Sequence, residues 1–186
     1  MRASRMVEAL LFASEAPLSA ADLARADEAL DEERVEAAVA ELRAEYDRDE
    51  RAFTIVEVGG GYQLLTRPEF APVLERFDTV PQAQRLSGPA LETLSIISYR
   101  QPVGRAELEE IRGVGAGGVL KTLQERGLIE VVGRGEGLGR PLLYGTTSFF
   151  LQHFGFRALD DLPRPDDLPV VLARREPVPD ESADAA

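Results

Sequence analysis

This 186-residue sequence predicts a mainly α protein with small β-hairpins, built as two tandem copies of one module and closed by an acidic, Pro-rich tail. Three observations carry that reading. Residues 15–23 align with 100–108 at an offset of 85 positions, and Leu11-Phe12 falls on Ile96-Ile97 at the same offset. Within each copy, apolar residues recur at three- and four-residue spacing in successive segments, which is helix periodicity. Each copy then ends in two short runs rich in β-branched and aromatic residues around glycines, which is hairpin chemistry.

The elements follow in order. Met6, Val7, Leu10 and Leu11 open the first copy as an apolar helix, and Leu91, Leu94 and Ile97 open the second. A proline breaks each helix, at Pro17 and Pro102, and a short helix restarts after it. Ser19 is a good N-cap for the first restart, whereas Gly104 offers no capping oxygen for the second. A third helix comes next. Val35, Val39, Leu42 and Tyr46 share one face of it in the first copy, and Val119, Leu120 and Leu123 do so in the second, where Gly127 suits the C-terminal end. Residues 53–58 and 62–66 around Gly59-Gly60-Gly61 then read as a hairpin, and 128–132 with 142–144 around the glycine-rich stretch 133–139 repeat it. Segments 68–77 and 147–154 close the copies as helices, the first with Pro68 at its first position. Three helices and a hairpin are the winged-helix plan, a helix–turn–helix variant. The expected boundaries are a first winged-helix domain at 1–78, a linker at 79–87, a second winged-helix domain at 88–157, and the tail at 158–186.

Composition narrows the function. There is no cysteine and a single histidine, His153. Disulfides, thiolate metal sites, thiol nucleophiles and multi-histidine cages are therefore excluded. His153 lies between Phe150 and Phe154 and reads as a partly buried structural residue. No catalytic constellation is present, so the chain is read as a non-enzyme with no cofactor and no metal. The amino end lacks a secretory pattern and no run is long enough to span a membrane, which points to the cytoplasm. The net charge of −12 is uneven. Residues 1–80 carry −9, residues 81–156 carry +1 and residues 157–186 carry −4. The tail also holds five prolines and few large apolar residues, too little to offset its ordering entropy from about Pro163 onward. Its short run Pro169-Val170-Val171-Leu172 is a candidate docking peptide.

Two glycine motifs invite cofactor readings and fail them. Residues 113–118 match G-x-G-x-x-G, but the segment before them is helical, whereas a dinucleotide fingerprint follows a strand. The phosphate-loop spacing from Gly115 to Lys121-Thr122 puts Leu120 where a glycine is required. Nucleic-acid readout fares little better. A helix–turn–helix reader lays its third helix in the major groove. In the first copy that helix carries Glu32, Glu33, Glu36, Glu41, Glu45 and Asp47 against Arg34, Arg43 and Arg48, and it would meet phosphate with like charge. In the second copy Lys121, Gln124, Glu125 and Arg126 give only weak base-reading chemistry. Both copies look like protein-binding derivatives of a DNA-binding shape.

The residues also resemble a known family. Glu8-Ala9-Leu10-Leu11-Phe12, Pro17-Leu18-Ser19, the stretch 90–103, the stretch 105–114 and Gly139-Arg140-Pro141-Leu142-Leu143-Tyr144-Gly145-Thr146-Thr147 are similar to the segregation and condensation protein B family. The resemblance runs from about residue 6 to Pro163. It implies two winged-helix domains and a non-enzymatic subunit of the bacterial condensin-like complex, acting in chromosome segregation and cell division. Family members form homodimers and bind the kleisin subunit, which bridges the heads of the SMC ATPase. By that resemblance the chain is cytoplasmic and associated with the nucleoid, touching DNA only indirectly or weakly. Two positions depart from the family pattern: Gly104, where Thr or Ser is common, and Gly115-Ala116, where a polar capping pair is. Both departures predict uncapped helix starts.

Exposed Tyr and Arg are typical interface anchors. The kleisin surface is accordingly expected at Tyr99, Arg100, Gln101, Arg105, Glu110, Arg112, Arg140 and Tyr144. The competing reading makes Tyr99 a cap on the core and Arg105–Glu109 a plain i,i+4 pair. The homodimer contact is expected on the first helix at Val7, Leu10 and Leu11, or on the first hairpin. The alternative function is a dimeric winged-helix transcription regulator, which would bind an operator tightly and with strong salt dependence.

Overall fold

The computed structural model of the chain describes residues 2–77, 85–136 and 139–164. The expectations for tail residues 165–186, including the 169–172 run, and for linker residues 78–84 lie outside the described residues. The fold is mostly helical with two small antiparallel sheets. In the first module α1 (Ala3–Ala13), α2 (Ala20–Ala24) and α3 (Glu32–Arg48) precede the hairpin β1 (Phe53–Val58) and β2 (Gly61–Thr66). A 3-10 turn, Pro68–Phe70, and the single turn α4 (Ala71–Leu74) follow. In the second module α5 (Gly88–Arg100), the short strand β3 (Val103–Gly104), α6 (Arg105–Arg112) and α7 (Gly117–Glu125) lead to β4 (Ile129–Arg134), β5 (Leu142–Thr146) and α8 (Ser148–Phe154). The first residues of α1, α2 and α3 each sit 85 positions before those of α5, α6 and α7, so the repeat holds through three helices.

Local chemistry explains the starts. Ser19 and Asp22 form a reciprocal capping box: the Asp22 N–H donates to Ser19 Oγ at 3.0 Å, and the Ser19 N–H donates to Asp22 Oδ2 at 3.1 Å. The Ser19 hydroxyl, which donates to Asp22 Oδ2 at 2.5 Å, and then the Ser19 N–H hold the Asp22 carboxyl below its ordinary range. Asp31 caps α3 through the Arg34 N–H at 2.8 Å. Val35, Ala38, Val39, Leu42 and Tyr46 form one buried stripe along α3 against Val7 and Leu11 of α1 and Leu23 of α2. Gly59 and Gly60, with φ of 59° and 77°, make the two-residue turn that joins β1 to β2. Ser87 and Thr147 cap α5 and α8. The start of α6 at Gly104 has no side-chain cap, as expected.

Three features differ from the sequence expectation. A third strand exists in the second sheet, ordered β3-β5-β4, with Val103 paired to Tyr144. Its counterpart in the first module is a single bridge between Leu18 and Tyr62. These pieces are too short to show alternation in a sequence. The second module also extends beyond residue 157. Phe156 and Leu162 pack on its core, and Arg157 holds Asp161, whose carboxyl is lowered to about 2 by the Arg157 guanidinium and backbone N–H. The tail boundary at 158 is therefore corrected, because Leu162 finds apolar neighbours. Finally, His153 is exposed rather than partly buried, with its ring against Phe149 and Phe154.

Among the described residues the modules touch through a polar joint. The Gly59 and Gly60 N–H groups donate to the Phe156 and Arg157 carbonyls, each at 2.9 Å. Beside them Gln152 Nε2 donates to Gln63 Oε1 at 3.1 Å, while Gln63 Nε2 donates to the Glu15 carbonyl at 2.9 Å.

Candidate partner-binding surfaces

In the second module, α5 ends at Tyr99-Arg100, and β3, α6 and β5 gather the remaining expected residues around that end. Gly104 pairs with Leu143, so Arg105 lies beside the start of β5, just after Arg140-Pro141. Arg100, Arg105, Glu110 and Arg140 are exposed. Arg105 Nε donates to Glu109 Oε1 at 2.7 Å, and the same oxygen accepts the Ala116 N–H at 2.8 Å. Glu109 thereby satisfies the start of α7, where no local cap exists. The Ala116 N–H and then Arg105 hold the Glu109 carboxyl below its usual value. The plain i,i+4 pair is therefore present, with a capping duty added.

The other four expected residues are wholly or partly committed inside the chain. Tyr144 is buried in the second core, so it is corrected from a surface contact to a packing residue. Gln101 Oε1 accepts the Thr146 N–H at 2.6 Å and its hydroxyl at 3.1 Å, and Gln101 Nε2 is buried without a partner. The Arg112 side chain is only 4% exposed and meets Glu92 Oε2 at 3.2 Å, so it is a helix-to-helix brace between α6 and α5 and not an open anchor. Tyr99 is half covered, its hydroxyl donating to the Pro163 carbonyl. The segment after α8 crosses that face because Leu162 is drawn onto the core.

The first module corrects the expected dimer contact in the same way. Val7 and Leu11 are buried in their own core, and Leu10 packs against it, because α1 turns that face toward α3. The large apolar side chain left open on α1 is Phe12, 81% exposed. With Phe53, Leu64 and Leu65 it lines a groove of about 340 Å³. Phe70, Val73 and Phe77 after the hairpin are exposed too. Sequence reading passed over these residues. The available signals were Leu65 on the outward side of its strand and an apolar 70/73/77 spacing broken by Pro72.

Charge on the third helices argues against groove reading. All six acids of α3 are exposed. Its arginines are taken locally, Arg34 by the Ala29 carbonyl, Arg43 by the Ile55 carbonyl and Arg48 by Asp49. On α7, Lys121 faces Glu125 at 3.8 Å. Among the described residues no helix is long and apolar enough to cross a membrane.

Comparison with known proteins agrees with the resemblance. Residues 5–165 match the family described as segregation and condensation complex subunit ScpB. The chain is 48% identical over 162 residues to segregation and condensation protein B of Geobacillus thermodenitrificans, covering 87% of this chain and 77% of that protein. It is 49% identical over 162 residues to the one from Moorella thermoacetica, covering 87% and 82%. Among solved structures, ScpB from Mycobacterium tuberculosis is 33% identical, with 83% of this chain and 95% of that chain covered at a TM-score of 0.39. A dimer of a ScpB N-terminal domain complexed with a ScpA peptide is 37% identical, with 40% and 93% covered at a TM-score of 0.37. Neither overlay is close enough to transfer geometry.

Proposed function

The chain belongs to the ScpB family of segregation and condensation complex subunits, and from that premise we propose that it is a non-enzymatic accessory subunit of a condensin-like complex. It acts as a homodimer that binds the kleisin subunit, and through the kleisin the SMC ATPase, in chromosome condensation and segregation. The observation that carries this reading is the span of the family match, residues 5–165, which takes in both modules. Each module is a winged-helix domain turned to protein contact. The exposed acids of α3 support that, since they would repel phosphate at groove distance.

We assign the open arginine surface of the second module to the kleisin, without confining the kleisin to that module, and the homodimer contact to the first. Arg100, Arg105 and Arg140 form the open part of the kleisin surface, with Glu110 beside them on α6. Such a surface suits a kleisin segment bearing carboxylates, paired through Arg. Tyr99 joins it where the Pro163 segment leaves its ring uncovered.

The test is a calorimetric titration with purified kleisin. Replacing Arg100, Arg105 and Arg140 together by Glu should weaken binding by ~100-fold or more, from a few kcal/mol of lost and reversed charge contacts. The Arg100→Glu/Arg140→Glu double variant leaves the Arg105–Glu109 pair intact and should melt close to the unmodified chain, whereas the triple variant also loses that pair and should melt somewhat earlier. Undiminished kleisin binding by the triple variant would remove this surface from the account. Tight, salt-sensitive operator binding in a gel-shift titration would favour the regulator reading instead.

A further inference from the structure

The segment that follows α8 is held at its two ends by two different modules. At its start the Phe156 and Arg157 carbonyls accept the Gly59 and Gly60 N–H groups of the first hairpin, each at 2.9 Å. At its end the Pro163 carbonyl accepts the Tyr99 hydroxyl, at the finish of α5. Between them Arg157 grips Asp161 around the 3-10 turn Leu159–Asp161, its N–H donating to Asp161 Oδ2 and its Nη2 to Asp161 Oδ1, both at 2.9 Å. Asp161 first, and Glu57 of β1 with it, stabilise the charged Arg157, so this grip also feels the first module. Residues 156–163 therefore run as one strap from the turn of the first hairpin to the face that carries Tyr99 and Arg100.

The hairpin turn sits closely on the root of the strap. A Cβ added at Gly59 would lie 3.3 Å from the Ser148 carbonyl oxygen and 3.8 Å from Gln152 Cβ. Gln152 donates to Gln63, which is 8% exposed and itself tied to the Glu15 carbonyl. The hold of the strap on its own module is weaker. Phe156 and Leu162 are the apolar anchors that reach the second core, and both are only half-buried. Leu159 is 40% exposed, and no residue of the 3-10 turn is buried. A segment with few buried apolar contacts opens locally, at a free energy well below that of the whole fold. Its three attachments lie on eight consecutive residues, so release at one end withdraws the support of the other.

We propose that this strap is an autoinhibitory latch. Closed, it covers Tyr99 and keeps the modules joined at Gly59-Gly60. A kleisin segment that takes Tyr99 displaces the strap and frees the joint. The latch rests on the kleisin surface proposed above and extends it to a consequence for the first module. Arg100, exposed beside Tyr99, gives a carboxylate of the partner a foothold before the strap leaves. Linkage is reciprocal, so what loosens the strap strengthens kleisin binding by the factor by which kleisin loosens the strap.

Amide hydrogen exchange on the full chain reads the joint directly, at the Gly59 and Gly60 N–H groups. The Tyr62 N–H, which donates to the Leu18 carbonyl at 2.8 Å inside the first module, serves as the reference. In the chain alone, Tyr99→Phe and Asp161→Ala should each speed exchange at both glycines by ~3-fold or more, with Tyr62 unchanged. Purified kleisin should speed the same two amides. Asp161→Ala lies outside the arginine surface and should lower the kleisin dissociation constant by ~3-fold or more, because a closed strap weakens apparent affinity by the fraction of chains that are open. Unchanged glycine exchange in both variants overturns the latch. Acceleration of all three amides together, the mark of a loosened first module, overturns it as well. Kleisin that binds yet leaves both glycines protected, with no tighter binding by Asp161→Ala, overturns the inhibition and leaves the kleisin surface standing. Kleisin binding indifferent to Arg100→Glu/Arg140→Glu removes that surface instead, and exchange in the chain alone still decides whether Tyr99 and the joint are coupled.

Discussion

At the scale of single residues, the first core holds one polar pair on which its packing depends. The Tyr46 hydroxyl donates to Glu8 Oε1 at 2.8 Å across α1 and α3. Burial first, and the Glu8 carboxylate next, push the phenol well above its ordinary pKa, so it stays protonated and donates. Tyr46→Phe keeps the ring on Phe53 but takes the donor from a part-buried carboxylate. The expected cost is about 1 to 2 kcal/mol in urea denaturation. An unchanged midpoint would mean that water replaces the bond at no cost. Residue-level placement was only partly legible in the sequence. An apolar helix predicts that Val7, Leu11 and Phe12 matter, but periodicity cannot say which neighbours are committed to the core. Burial of Val7 and Leu11 left Phe12 as the open one. Tyr144 and Arg112 were misplaced for a related reason. Tyr and Arg anchor interfaces, but they also brace cores when a hydrogen bond or carboxylate is near, and only tertiary geometry tells the two apart.

At the scale of elements, capping and glycine chemistry made the helices and hairpins readable. Ser19 caps where its side chain predicts, Ser87 and Thr147 cap the starts of α5 and α8, and Gly59-Gly60 turn the first hairpin. The uncapped start of α7 is rescued from a distance by Glu109, seven residues before Ala116, a pairing no local rule anticipates. β3 escaped notice because two residues have no period. Its counterpart bridge, Leu18 to Tyr62, brings two backbones so close that Gly61 cannot carry a side chain. A Cβ there would lie 2.6 Å from the Leu18 carbonyl carbon. Gly61→Ala should therefore destabilise the first module by about 1 to 3 kcal/mol, seen as an earlier unfolding transition. A variant as stable as the parent would show that the bridge yields without cost.

At the scale of the whole molecule, the repeat decides the architecture, and its asymmetries underlie the roles proposed for the two modules. One copy keeps a near-neutral surface with open arginines, and the other is strongly acidic with an unfilled groove. The joint between Gly59-Gly60 and the segment after α8 links the modules through backbone groups that any sequence possesses. That joint was therefore invisible to a reading of side chains. Neither module presents a third helix suited to a DNA groove, which supports the proposed contact with proteins. The most direct test is an affinity pull-down of the tagged chain from its native cell after nuclease digestion. The account predicts recovery of a kleisin together with a large coiled-coil ATPase, undiminished by removal of DNA. Recovery of neither protein, or of DNA fragments protected by the chain alone, would contradict it.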